Sequence, residues 1–140
     1  MEVKSNTSRK LKVCMLLPYR YEPDMLIYSR LEIFSYITRF GHQVSWVISS
    51  EKDQPQPFFL NDVKVYTVPY HHYVPGDWIL PRIFNKIIYA FRRMRFILRI
   101  FREEKYDLIF VRTDIFDGLI AAYIKGRHKI PFVFELPNPL

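Results

Sequence analysis

Five short apolar segments, set among helical and polar stretches, constrain the fold of this chain most strongly. Lys12–Pro18, Val44–Ile48 and Tyr106–Val111 are almost continuously apolar and lack the alternation of a half-exposed strand. Such runs are typical of strands that are buried on both faces of a parallel sheet. Val63–Val68 alternates more, which predicts a strand nearer the sheet edge, and a fifth strand is predicted in Pro131–Pro137.

Helical periodicity occupies the stretches between these strands. Met25–Phe40 has apolar residues at helical spacing and stops at Gly41, which suits a left-handed cap. Leu80–Lys105 is a second predicted helix, and Phe116–Lys125 is a shorter one that Gly126 is expected to close. The order is strand, helix, strand, strand, helix, strand, helix, strand. It predicts an α/β, Rossmann-like fold, with a mostly parallel sheet and helices on both faces.

The length and composition predict one cytoplasmic domain. The 140 residues divide into a polar, flexible lead at 1–10 and a domain at 11–140. Cys14 is the only cysteine and lies in an apolar run, so we expect a buried thiol and no disulfide framework. The lead lacks the apolar region of a secretory signal, and nowhere do about 18 uncharged apolar residues run together. Any membrane that this chain meets is therefore predicted to hold it peripherally.

The predicted helix Leu80–Lys105 carries most of the chain's charge. It holds eight basic side chains against Glu103 and Glu104, a net +6 of the formal +7. At about 100° per residue, most of its apolar residues form one broad arc that is predicted to face the core. This arc comprises Leu80, Ile83, Phe84, Ile87, Ala90, Phe91, Met94, Ile97, Leu98 and Phe101.

The opposite side of this helix is predicted to be exposed, although it is not purely polar. Tyr89, Phe96 and Ile100 fall there, with Arg82, Lys86 and Arg93 on one flank and Arg92 and Arg99 on the other. Apolar side chains within a basic rim suit an anionic membrane surface, which is the predicted partner. Two alternatives stay open. The basic residues would neutralise nucleic-acid phosphates equally well, although we predict no nucleic-acid partner, or they are simply solvated.

Polar side chains follow the predicted strands and should meet at one edge of the sheet. In an open parallel sheet the ligand crevice lies beyond the carboxyl ends of the strands. That edge collects groups able to hold hydroxyls and an anion, namely Tyr19, Arg20, Glu22, Arg112, Asp114, Asp117 and Glu135. For Asp114 and Asp117 an alternative stays open, because either carboxylate suits the cap of the helix that follows.

Several common site motifs are missing from the sequence. No G-x-G-x-x-G follows the first strand, and there is no Walker loop and no readable Ser-His-Asp or Cys-His set. His71 and His72 are adjacent, so on an extended chain they point to opposite sides and are not expected to share a metal. We therefore predict neither a dinucleotide or P-loop cradle nor a metal site.

Taken in order, KVCMLLP, FGHQVSWVIS, DVKVYTVP, YDLIFVRTD and KIPFVFELP resemble the amino-terminal Rossmann-like domain of GT-B glycosyltransferases of the family 4 type. The resemblance spans most of Leu11–Pro137. It implies an acceptor-binding domain whose carboxyl-terminal partner domain binds a nucleotide-sugar donor, with catalysis in the cleft between them. No cofactor is expected on this domain alone, and the nucleotide sugar is expected only in the complete enzyme.

The resemblance also implies roles for individual residues. Acceptor binding would fall to Tyr19, Arg20, Glu22 and Glu135, while Asp114 or Arg112 would orient the attacking hydroxyl. Two positions depart from the family pattern, since Pro23–Met25 stands where a pair of glycines is usual and Arg112–Asp114 stands where many members place a histidine.

The implied partners are a sugar acceptor, either lipid-linked or a glycan at the membrane surface, an anionic membrane surface, and a donor-binding domain or subunit. With 140 residues the sequence holds only the acceptor-side half, so we expect the chain alone to be inactive. The alternative is a non-catalytic membrane-surface subunit that recruits a separate donor-binding chain.

Overall fold

The computed structural model describes residues 9–21, 36–53 and 55–136, and in these ranges six strands form one sheet. The strands are β1 (Lys12–Arg20), β2 (Gln43–Ser50), β3 (Phe58–Leu60), β4 (Val63–Pro69), β5 (Leu108–Arg112) and β6 (Phe132–Glu135). Two helices follow β4 and β5, namely α1 (Ile79–Glu103) and α2 (Ile115–His128). Residues 36–39 are also helical, and most of the predicted helix Met25–Phe40 lies outside the described residues.

The strands are ordered β3-β4-β2-β1-β5-β6 across the sheet. Every neighbouring pair is parallel except β3 and β4, which are antiparallel. The chain builds outward from β1 in one direction, and α1 then carries it back to the other side of β1. The predicted Rossmann-like fold class is confirmed, and the strand order reverses between β1 and β5. The short strand β3 was not predicted, because three apolar residues after a proline-bearing loop carry too little periodicity.

Each face of the sheet contributes to the core. Leu16, Val47 and Ile109 lie on the face that packs against α1 and α2. Met15, Trp46 and Val65 lie on the other face, where Ile37 and Phe58 pack against them. Cys14 is fully buried on the helical side, and burial raises the pKa of its thiol, so it acts as a small apolar side chain.

The ends of the helices confirm one glycine cap and correct another. Gly41 has a φ of +85° and its N–H donates to the Thr38 carbonyl at 2.9 Å, as a left-handed cap does. The prediction that Gly126 closes α2 is wrong. The helix continues to His128, and Lys129 is the left-handed residue, with a φ of 59°. Pro131 follows two residues later and cannot continue a helix, which is consistent with the later end.

A cluster of charged groups joins the end of α1 to the amino-terminal edge of the sheet. Glu104 accepts hydrogen bonds from Lys64 and Tyr66, and Lys12 Nζ lies 2.6 Å from its second carboxylate oxygen. Burial alone would raise the pKa of Glu104. The hydrogen bonds from the three partners outweigh that effect and lower the pKa to about 2.

Replacing Glu104 by Gln is expected to lower the free energy of unfolding by about 2 kcal/mol near neutral pH. The folded-state pKa lies below the ordinary value of 4.5, so the ionised carboxylate stabilises the fold above that value. This contribution is lost as the pH falls through about 2. Urea unfolding of both proteins across the acid range should show their difference shrinking in that window. Glu103→Gln is the matched control, because Glu103 is exposed and pairs only loosely with Arg99, at 3.8 Å.

Candidate functional site

Three of the predicted site residues meet at the carboxyl ends of β1, β5 and β6, where the strand order reverses. Arg112 and Glu135 are partners in the register of β5 and β6, and Arg112 Nε lies 3.1 Å from Glu135 Oε2. The Arg112 guanidinium also stands 5.7 Å from the centre of the Tyr19 ring. We name this place the carboxyl-edge crevice, and define it by Tyr19, Arg112, Thr113 and Glu135. It is the position at which open α/β sheets bind ligands.

Glu135 has an acceptor oxygen that the described residues do not use. Its Oε2 is buried and accepts no hydrogen bond among them, since the 3.1 Å contact with Arg112 lacks hydrogen-bond alignment. The side chain as a whole is 41% exposed, although Oε2 itself is not. Buried acceptors are almost always satisfied in folded proteins, and a hydroxyl donor of a ligand would satisfy this one.

Thr113 is held in a strained backbone conformation beside these residues. Its φ is 55°, in the left-handed region that a β-branched residue rarely adopts. The turn is closed on both sides, because Asp114 N–H donates to the Arg112 carbonyl at 2.8 Å and Thr113 N–H donates to the Glu135 carbonyl at 3.1 Å. Strain of this kind clusters at functional sites, and it keeps the Thr113 side chain exposed at the crevice. No role was predicted for Thr113 from the sequence.

Irregular pairing bends the end of β1 next to the crevice. Leu16 pairs with Val47 and Arg20 with Ser49, so β1 contains two more residues than β2 over this stretch. Such a bulge redirects side chains at the end of a strand. Arg20 consequently pairs with Glu51 at the exposed end of β2. Glu22, the remaining predicted acceptor residue, lies outside the described residues.

Asp114 is the N-terminal cap of α2. Its carboxylate accepts hydrogen bonds from the N–H groups of Phe116 at 2.8 Å and Asp117 at 3.2 Å. The capping alternative for Asp114 is therefore confirmed, and one carboxylate oxygen is committed to it. The catalytic role that the resemblance implied for Asp114 and Arg112 stays a prediction.

Asp117 forms a buried ion pair with Arg93 of α1. The Arg93 Nε donates to Asp117 Oδ1 at 2.8 Å, and Nη2 donates to Oδ2 at 2.7 Å. Nη2 also lies 3.2 Å from the carbonyl oxygens of Leu17 and Val47. Burial alone would lower the pKa of Arg93, but its bonds with Asp117 raise the pKa above the ordinary value. The prediction that Arg93 lies on an exposed membrane rim is therefore wrong.

The face of α1 that was expected to be exposed packs against the sheet instead. Ile100 is only 2% exposed, and Tyr89 and Phe96 pack against the same core cluster. The Phe96 ring lies edge-on to Tyr66 with the ring centres 6.1 Å apart. The predicted exposure of Tyr89, Phe96 and Ile100 is thus wrong. The apolar residues of α1 form a stripe wider than one helix face, and periodicity alone does not say which part of it meets the sheet.

Much of the arc that was predicted to face the core is exposed. Ile97 and Phe101 are buried as expected. Five other members are 47% to 60% exposed, namely Leu80, Ile83, Phe84, Ile87 and Phe91. We call these five residues the outer apolar face.

The rotation of α1 has identifiable polar causes. Asn85 is buried and pairs with the Val74 backbone, accepting from its N–H at 2.8 Å and donating to its carbonyl at 3.1 Å. Further along α1, Arg93 anchors the helix through its ion pair with Asp117. Only Ile115 and Phe116 precede Asp117 in α2, whereas fourteen residues of α1 precede Arg93. The first half of α1 therefore extends past the start of α2, and its outer apolar face stays about half exposed.

An apolar groove of about 990 Å³ runs between α1 and α2. Ile83, Ile87 and Phe91 line it from α1, and Phe116, Leu119 and Tyr123 line it from α2. Lys86 and Asp114 are also in its lining, and the Arg93–Asp117 pair is at its base. Asp114 follows Thr113 directly, so one lining residue of the groove is the sequence neighbour of a crevice residue.

Only some of the basic side chains that were predicted to form the rim lack a partner within the described ranges. Arg92 lies over the Tyr73 ring, 5.1 Å from its centre, and Arg99 is similarly placed over Phe96. Within the described ranges, Arg82, Lys86, Arg95 and Arg102 form no side-chain hydrogen bond or ion pair. Of these four cations, Lys86 lines the groove.

Among the described residues, no group of three or more His, Cys, Asp or Glu side chains is arranged to hold a metal ion. No helix in the same ranges is both long and apolar enough to cross a membrane. His71 instead stands 3.8 Å from Asp53, in an exposed pair.

Comparisons with known proteins bear on the fold. A scan against sequence models of protein families found no match, and a search of curated proteins also found none. The structure is similar to the C-terminal domain of a hydrogenase from Pyrococcus furiosus, with a TM-score of 0.61, 14% identity, and 89% and 91% of the two chains covered. It is also similar to the glycotransferase of kitacinnamycin, with a TM-score of 0.53 and 14% identity. That match covers 90% of this chain and 30% of the glycotransferase.

These likenesses establish the fold class without choosing between functions, because one fold hosts many activities. A structural neighbour is a glycosyltransferase, and the described domain corresponds to less than a third of it. Membership of the family 4 type stays a prediction.

Proposed function

We propose that this domain is the acceptor-binding half of a glycosyltransferase, which holds a sugar hydroxyl at the carboxyl-edge crevice. The observation that carries the proposal is the unfilled acceptor capacity of Glu135 Oε2, at the switch point of a Rossmann-like sheet. The likeness to part of a glycotransferase adds support at the level of the fold. A nucleotide-sugar donor would be bound by a second domain or subunit.

The crevice residues have separable roles in this proposal. Glu135 accepts a hydrogen bond from the acceptor hydroxyl and orients it for attack, while Arg112 fixes the carboxylate from the neighbouring strand. Thr113, exposed on its strained turn, offers a hydroxyl to the same sugar. Asp114 supports the site indirectly by capping α2. Glu135 is thus a better orienting group than Asp114, whose Oδ1 is committed to backbone N–H groups.

Sugar binding is the experiment that tests this function. Methyl glucoside and methyl mannoside would be titrated into the chain as acceptor probes, and UDP-glucose as a donor probe, with amide shifts followed by NMR. We expect at least one glycoside to shift Tyr19, Thr113 and Glu135, and Glu135→Gln to weaken its binding about tenfold, since an acceptor for the sugar hydroxyl is weakened. Asp53→Asn, an exposed carboxylate on a different loop, is the control. Crevice shifts with UDP-glucose alone would contradict the acceptor assignment.

We further propose that the domain docks on an anionic membrane through the outer apolar face. The apolar side chains there are exposed, and the same helix carries four cations that are unpaired within the described ranges. An interfacial helix combines these two features, and each basic side chain near an anionic surface contributes on the order of 1 kcal/mol. The predicted anionic membrane partner is retained, and so are the basic residues Arg82 and Lys86. The apolar residues that reach the membrane are now those of the outer apolar face, in place of Tyr89, Phe96 and Ile100.

Replacing Leu80 and Phe84 together by Ser is expected to weaken binding to vesicles containing phosphatidylglycerol at least about tenfold. Both side chains are about half exposed, so each substitution should lower the free energy of unfolding by no more than about 1 kcal/mol. Phe59→Ser is a matched control, because Phe59 is 65% exposed on the edge strand β3, away from the basic helix.

Co-sedimentation at increasing salt supplies the measurement, and vesicles of phosphatidylcholine alone test the role of charge. Equal binding to both kinds of vesicle, or equal loss in the Phe59 control, would contradict docking by this face. A protein that binds vesicles but no glycoside would instead fit the non-catalytic subunit that recruits a donor-binding chain.

A further inference from the structure

We infer that the groove between α1 and α2 binds a single hydrocarbon chain of an amphiphile whose anionic head lies near Lys86. The inference deepens the proposed function, because it gives the lipid-linked acceptor, one of the two acceptor classes that the resemblance implies, a binding place for its hydrocarbon chain and phosphate on this domain. It rests on the proposed function only for the sugar. The binding of the chain and its head depends on the groove alone.

The shape of the groove suits a hydrocarbon chain. It has a volume of about 990 Å³ and is lined by α1 and by the first part of α2. Its α1 side runs from Ile83 to Leu98, about 22 Å at 1.5 Å per residue. Side chains such as Ile87, Phe91 and Leu119 remain 47% to 63% exposed along it. An apolar ligand would remove that area from water.

Polar groups at the base of the groove already have partners. Both carboxylate oxygens of Asp117 accept from Arg93, and Arg93 also reaches two backbone carbonyls. Asp114 Oδ1 accepts from two N–H groups of α2. A ligand segment lying here therefore gains nothing from hydrogen-bonding groups of its own and would leave them unsatisfied. Hydrocarbon fits this lining better than a polar chain does.

Charge sets the orientation of the amphiphile. Lys86 lines the groove in the half of α1 that extends past the start of α2, and it has no ion pair within the described ranges. Arg82 lies one helical turn before it and is also unpaired there. An anionic head at this end would be attracted by both cations. Asp114 also lines the groove and adjoins Thr113 of the carboxyl-edge crevice in sequence.

Dodecyl phosphate is the probe that tests the inference, used below its micelle concentration and without vesicles. Methyl NMR shifts of Ile83, Ile87 and Leu119 would report its binding. We expect it to bind at least about tenfold more tightly than dodecyltrimethylammonium, which has the same chain and a cationic head. Lys86→Gln should weaken dodecyl phosphate about fivefold.

Blocking variants separate the groove from the rest of the surface. Leu119→Trp fills an exposed part of the lining and should weaken dodecyl phosphate at least about tenfold, whereas Ile115→Trp, on the same helix outside the lining, should not. Ile87→Gln is a second variant, at a 47% exposed position, for use if the tryptophan disturbs folding. Circular dichroism and urea unfolding of each variant identify any folding defect.

Several results would overturn the inference. One is that the wild type does not bind dodecyl phosphate saturably. Another is that Leu119→Trp and Ile87→Gln leave this binding unchanged, and a third is that dodecyltrimethylammonium binds more tightly. An acidic amphipathic peptide that displaces dodecyl phosphate and binds more tightly would assign the groove to a protein partner. If the glycosides do not bind while dodecyl phosphate still does, the glycosyltransferase assignment is wrong and the hydrocarbon-binding groove remains. Loss of dodecyl phosphate binding alone would leave the crevice proposal intact.

Discussion

Arg93→Ala is expected to lower the free energy of unfolding by about 3–5 kcal/mol, because it leaves the Asp117 carboxylate buried without a counter-charge. The Asp117 side chain is 1% exposed, and both of its oxygens accept hydrogen bonds from Arg93. The substitution also removes the donor that reaches the carbonyls of Leu17 and Val47. Urea unfolding followed by circular dichroism measures the loss.

Two further variants make the cause of this loss identifiable. Arg95→Ala removes an arginine from the exposed side of the same helix and should change stability by no more than about 0.5 kcal/mol. Replacing both partners, with Arg93→Met and Asp117→Leu together, should cost less than Arg93→Ala, because no buried charge is left unpaired. Similar losses for Arg93→Ala and Arg95→Ala would mean that the pair does not hold α1 and α2 to the sheet.

Ile100→Ala is expected to lower the free energy of unfolding by about 2–5 kcal/mol, the usual cost of opening a cavity in a packed core. Ile100 is 2% exposed and belongs to the cluster formed by α1, α2 and one face of the sheet. Thermal and urea unfolding measure the effect. Vesicle binding by the folded fraction should stay unchanged, because the side chain does not reach the surface.

Ile87→Ala removes the same atoms from the same helix and is the matched control. At 47% exposure it should cost less than about 1 kcal/mol. If Ile87→Ala cost more than Ile100→Ala, the orientation of α1 described above would be wrong. The two isoleucines therefore test directly which side of the basic helix belongs to the core.

The buried pair also connects the two proposed sites. Arg93 and Asp117 lie at the base of the groove. The Asp117 N–H is one of the two groups that donate hydrogen bonds to the Asp114 carboxylate at the start of α2. Asp114 in turn follows the strained Thr113 of the carboxyl-edge crevice. A change at the pair is therefore expected to disturb both sites through the first turn of α2, so exposed positions are the better choice for separating them.

The sheet and the place of the crevice were predictable from sequence because strands carry local information. Apolar runs such as Lys12–Pro18 and Val44–Ile48 lie within the observed strands β1 and β2. Once the strand order predicts a Rossmann-like sheet, its carboxyl edge follows, and with it the approach of Tyr19, Arg112 and Glu135. The pairing of Arg20 with Glu51 was not predictable, because it depends on a bulge between neighbouring strands.

The sequence by itself determined that Leu80–Lys105 is a long basic helix, crossing over between two strands of a parallel sheet. Helical periodicity and the absence of helix breakers are local properties, and composition fixes the charge. Only the tertiary structure decided which side of that helix is buried. Its apolar stripe is wide enough to present either flank, and the choice was made by the buried contacts of Arg93 with Asp117 and of Asn85 with Val74. Those partners lie 24 and 11 residues away along the chain, beyond the reach of any helical period.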